Sequence, residues 1–109
     1  MFVTDELAEK ALKRLADTDN LAAELHMKAE RAKFKAEAIE DAIFLRLESS
    51  KSVAVRQAEA RSSPEYSDAM KDYFIAAQAH EALKNERIRK VIVIDCWRSL
   101  NSSRNKGLL

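Results

Sequence analysis

A single glycine, a single proline and a single cysteine punctuate this 109-residue chain, and aromatic residues make up only 6% of it. Each scarcity excludes something. With so little glycine and proline there is almost no material for tight turns, hairpins or phosphate-cradling loops. Cys96 has no partner for an intramolecular disulfide, so a secreted disulfide scaffold is out. A small buried apolar residue is the plain reading of that cysteine; the nearest cation, Arg98, would point elsewhere on a helix. No run approaches the roughly 18 apolar residues of a membrane span. The first residues, Met1 to Glu6, have neither the basic start nor the apolar stretch of a signal peptide, which predicts a cytoplasmic protein.

Alanine and charge are what the chain has. Hydrophobic residues account for 47% and charged residues for 34%. Alanine-rich helices pack closely but bury little area, at roughly 25 cal/mol per Å² of apolar surface. A core of this kind is thin, and self-association is the expected remedy in so small a domain. The fold class expected is therefore all-α: an elongated helical hairpin of long antiparallel helices that forms a homo-oligomer.

Thr4 before Asp5 and Glu6 is a helix start, with a capping hydroxyl and acids in the first turn. Leu7, Ala8, Ala11, Leu12 and Leu15 form a stripe, and Asp17-Thr18-Asp19-Asn20 can end an N-terminal helix over residues 1–20, though a continuous helix fits too. An alanine-rich arm follows over residues 21–61. Within it Leu25, Ala29, Ala32, Ala36, Ile39, Ile43 and Leu47 make a near-heptad seam, while Met27, Phe34, Ala38 and Leu45 make a second apolar line elsewhere on the circumference. Residues 53–61 read as a short helix or as more of the arm. Ser62-Ser63-Pro64 is a serine cap with proline at the first helical position, opening a second long helix over residues 62–100. A helix of that length spans roughly 55 Å, against a radius of gyration of about 13 Å for a compact domain of this size. Val91-Ile92-Val93-Ile94 has the β-branched character of a strand, but its flanks are helical in spacing. The polar, basic tail over residues 101–109 is expected to fray.

No catalytic constellation can be assembled, and the expected activity is binding rather than catalysis, with no cofactor and no metal. His26 and His80 have no sequence partner at metal-binding spacing. Charge is unevenly divided. From Arg87 onward six cations (Arg87, Arg89, Lys90, Arg98, Arg104, Lys106) face Asp95 alone, a net +5 within a total of +1, which leaves −4 for the rest. A second cluster, His26, Lys28, Arg31, Lys33 and Lys35, puts Lys28, Arg31 and Lys35 on one face. The bland reading is a solvated surface with Glu24, Glu30 and Glu37 as intrahelical partners. The functional reading is phosphate contact with counterion release, strengthened if an oligomer repeats each basic end. Tyr73, Ala76, His80 and Leu83 form a core stripe, and Ile92 and Trp97 belong to the core or oligomer seam; an exposed Trp97 would instead be a stacking platform.

At Ser63-Pro64-Glu65-Tyr66 and at Trp97-Arg98-Ser99-Leu100-Asn101-Ser102 the chain resembles small helical proteins of tailed phages that accompany recombination genes. Its layout over roughly residues 20–106 is similar to the recombination mediator of T-even phages. The resemblance implies an oligomer in the host cytoplasm that binds single-stranded DNA and helps load a recombinase onto strands occupied by single-strand-binding protein. It implies that Arg87, Arg89, Lys90, Arg98 and Arg104 contact phosphates and that Trp97 supports the oligomer. The alanine-rich arm departs from that layout and suits a coiled-coil hairpin. A helical protein-binding module is the rival expectation: a phage inhibitor of a host machine, an adaptor or an assembly protein using the same apolar seams.

Overall fold

The chain reverses direction through a serine-rich stretch that holds one short helix between two long ones. A computed structural model describes residues 2–105 and contains α1 (Asp5–Arg46), α2 (Val53–Arg61) and α3 (Pro64–Asn105), with no strand among the described residues. It is an all-α helical hairpin. The residues group into two compact units: one from the N-terminus to Ala23 together with Glu81 onward, the other from Glu24 to His80.

In the first unit α1 begins as its caps dictate, with the Leu7 amide donating to Thr4 Oγ1 at 3.2 Å. Its α1 and α3 segments run antiparallel. Trp97 Nε1 donates to Asp5 Oδ1 at 2.7 Å, and Arg14 grips Glu86 with two hydrogen bonds of 2.6 and 3.0 Å. Val3, Ala8, Ala11, Thr18, Leu83 and Ile94 are buried.

The helix does not stop at Asp17–Asn20. Thr18 is 2% exposed, and its hydroxyl donates back to the Arg14 carbonyl at 2.7 Å, so the oxygen that could have capped a new helix bonds inside the existing one. Arg87 of α3 seals the choice, its Nη1 donating to Thr18 Oγ1 at 2.7 Å and to the Leu15 carbonyl at 2.8 Å. Thr18 also falls in the alternating three-and-four spacing of Ala8, Ala11, Leu15, Ala22 and Leu25, so the seam read from Leu25 onward starts much earlier.

In the second unit the seam is alanine. Ala29, Ala36, Ala60, Ala69 and Ala76 are buried, and Leu25, Ala32, Ile39, Ile43 and Leu47 are half-buried around them. The arm breaks after Arg46, where Leu47–Ser52 form turns and Ser52 Oγ accepts the Val55 amide to start α2. One hydroxyl then joins two helices: Ser63 Oγ donates to the Ala60 carbonyl at 2.8 Å and accepts the Tyr66 amide at 3.2 Å. Pro64 follows as the first helical residue, where a missing amide hydrogen costs nothing. Arg56 lies over the Phe44 ring, 4.2 Å from its centroid, and Arg61 donates to Glu40 at 2.7 Å.

Val91–Ile94 is helix, as the helical spacing of its flanks indicates, and only Ile94 of the four is buried. Ile92 is 51% exposed and so lies outside the core seam that packs on α1; seven- and eleven-residue steps from Leu83 reach Lys90 and Ile94 instead. Asn101–Asn105 extend α3, with Asn101 and Ser103 half-buried, while Lys106 lies outside the described residues.

Candidate nucleic-acid interface

The two basic clusters meet different fates. On α3 the cations are dispersed. Arg87 is half-buried and its donors are committed to Leu15, Thr18 and Asp19, the last at 3.3 Å. That makes it a strut between helices rather than a free phosphate ligand. Lys90 is half-buried on the seam side. Arg89 and Arg98 are exposed but nine residues apart, half a turn out of phase on the helix, and Arg98 stands 4.0 Å from Asp95. Arg104 is exposed near the helix end, about 22 Å along the axis from Arg89. These five do not converge on one ligand. Trp97 is half-buried with its indole N–H given to Asp5, which makes it a packing residue and no stacking platform.

On α1, by contrast, Lys28, Arg31 and Lys35 are exposed on one side of the helix, and no carboxylate among the described residues comes within 4.0 Å of any of them. The intrahelical pairing with Glu24, Glu30 or Glu37 that would have consumed their charge is not formed. Lys28 and Lys35 border a groove of about 340 Å³ with an alanine floor, Ala32 on one helix and Ala69 and Ala76 on the other; Asp72 and Ile75 form the far wall. The groove exists because alanines leave room where larger side chains would close the helix pair. Lys28 and Arg31 also edge a shallow depression beside Glu24.

Phe34 was the residue that periodicity undervalued. It is 71% exposed, one turn from Arg31 and adjacent to Lys35. Met27 and Leu45 continue the same exposed apolar line. This is the second apolar line of the sequence, and no described residue covers it. An exposed aromatic ring at the edge of that basic side, one turn from Arg31, offers a base-stacking face close to a phosphate contact.

Elsewhere the strongest charge contacts are structural. The Arg14 hydrogen bond holds the Glu86 carboxyl below its ordinary range, against the opposing effect of burial, and raises Arg14 in turn. Lys51 and Arg61 are likewise raised by hydrogen bonds to Glu59 and Glu40. The His26 and His80 rings, unpaired by sequence spacing, lie 5.1 Å apart across the helix pair. No group of three metal-ligating side chains occurs among the described residues, and no described helix is long and apolar enough to cross a membrane. No protein-family model matches the chain, and neither a curated protein nor a solved structure is significantly similar to it.

Proposed function

We propose that this protein binds single-stranded nucleic acid, DNA in the first instance, without catalysis, through the α1 face that carries Lys28, Arg31, Phe34 and Lys35. The observation that carries the reading is the exposed Phe34 ring one turn from Arg31, beside cations with no carboxylate within 4.0 Å among the described residues. Lys28, Arg31 and Lys35 contact phosphates, and Phe34 stacks on a base. Asp72 opposes the lysines across the groove, so the strand follows the α1 side. A recombination-accessory role, with a recombinase or a single-strand-binding protein as partner, is what the phage resemblance adds to this reading.

The test is fluorescence anisotropy of a labelled single-stranded oligonucleotide titrated at several salt concentrations, with duplex as competitor. Three phosphate contacts predict a slope of log K on log salt of about −2, at roughly −0.7 per contact for single strands. Arg31→Glu should weaken binding and flatten that slope. Phe34→Ala should cost about 1–3 kcal/mol of affinity with the slope retained, as loss of a stacked base does. Absence of binding at low salt would sink the proposal. It would favour the second reading, a helical protein-binding module, which the exposure of Met27, Phe34, Leu45, Phe74 and Ile75 also supports.

A further inference from the structure

The seam of α3 toward α1 is not its only regular pattern. Glu81, Lys84, Ile88, Val91, Asp95 and Arg98 follow one another at steps of three, four, three, four and three, the spacing of a coiled-coil seam. All six lie in the same compact unit and all six are exposed, so this second seam is not the one packed on α1. Its centre is apolar, with Ile88 48% and Val91 46% exposed and Ile92 beside them. Its ends are charged.

We infer that this face of α3 is a docking surface for a second copy of the same chain, packed antiparallel about a two-fold axis that crosses between Arg89 and Lys90. The order of charges selects both the partner and the direction. A two-fold contact is isologous, so a residue on one side of the axis meets the residue equally far on the other side of it in the second copy. Glu81 then meets Arg98, Lys84 meets Asp95, and Ile88 meets Val91, and each contact occurs twice. Every layer is complementary.

A parallel pair would stack each seam position on its own counterpart. Glu81, Lys84, Asp95 and Arg98 would each face a like charge, so four of the six layers would repel. The 4.0 Å approach of Arg98 to Asp95 within one chain is compatible with the pairing, because both side chains remain largely exposed and available. The surface shares no residue with the Lys28–Lys35 face, and the inference stands whether or not that face binds nucleic acid.

Sedimentation equilibrium of the full chain over a range of protein concentrations tests it. The expected result is a monomer–dimer equilibrium that weakens about tenfold or more in Lys84→Glu, since by symmetry two attractive layers become repulsive. Asp95→Lys should weaken it similarly. The double variant Lys84→Glu with Asp95→Lys should recover the dimer, because each layer again pairs opposite charges. Ile88→Asp should yield monomer with unchanged far-UV circular dichroism, the site being exposed. A monomer at every concentration, or a dimer indifferent to Lys84→Glu and Ile88→Asp, would overturn the inference, and so would failure of the double variant to recover.

Discussion

Thr18 and Arg87 show how a single hydroxyl decides whether one helix or two are built. The Thr18 oxygen donates to a carbonyl of its own helix and accepts from Arg87 of the other, at 2.7 Å in both directions. Thr18→Val keeps the shape and removes both bonds, leaving an Arg87 N–H without its acceptor. The expected loss is about 1–3 kcal/mol in a denaturant melt; an unchanged midpoint would mean that water replaces the hydroxyl. Glu86 offers a test in pH. Its carboxyl is held below the ordinary range by Arg14, so its contribution is present at neutral pH and is lost as pH falls through the lowered value. Glu86→Gln should therefore melt below the parent chain near pH 7, and the gap should narrow as pH falls below the ordinary carboxylate range. A gap that persisted in acid would assign the difference to packing. The cap residues and the Pro64 start were legible from sequence, because each acts on its immediate neighbours. Thr18 was misleading because its partner Arg87 is 69 residues away.

At the scale of elements, the join between α2 and α3 rests on Ser63, whose hydroxyl serves both helices. Ser63→Ala removes a cap worth about 1 kcal/mol and the bond that closes α2. Hydrogen exchange should quicken in residues 58–67 before it changes elsewhere; uniform quickening would show that the join is not a local structure. The heptad pattern made the long helices legible, and the continuity of α1 can be read in hindsight by extending its register back to Ala8. Register also explains Ile92. Four consecutive β-branched residues look uniformly core-forming, yet a helix turns only one of them, Ile94, fully inward.

For the molecule as a whole, the proportion of small residues in the core sets the behaviour. Most of the buried hydrophobic residues are alanine, while Phe34, Leu45, Phe74 and Ile75 are among the large side chains left exposed. Such a chain gains little per residue from burial. If pairing of copies supplies the difference, the melting temperature should rise between about 10 µM and about 1 mM protein, as linkage to association requires. A constant midpoint would show that each chain is stable alone. Leu83→Ala, at one of the few large buried positions, should cost about 2–5 kcal/mol, whereas Phe34→Ala should leave stability nearly unchanged. The latter keeps any loss of nucleic-acid affinity in that variant separate from unfolding.

By itself the sequence determined the class of fold, the long helices, their caps and the turn before Pro64. Those follow from local rules: backbone freedom, capping hydroxyls and apolar spacing along one segment. Only the tertiary structure decided which basic residues remain available. Arg87 and Lys28 are both cations on amphipathic helices, and nothing in their local sequence separates them. Arg87 is committed because α1 presents Thr18, Asp19 and the Leu15 carbonyl to it, while no carboxylate reaches Lys28 among the described residues. Charge is a property of a residue, but its availability depends on what the rest of the fold brings within hydrogen-bonding distance.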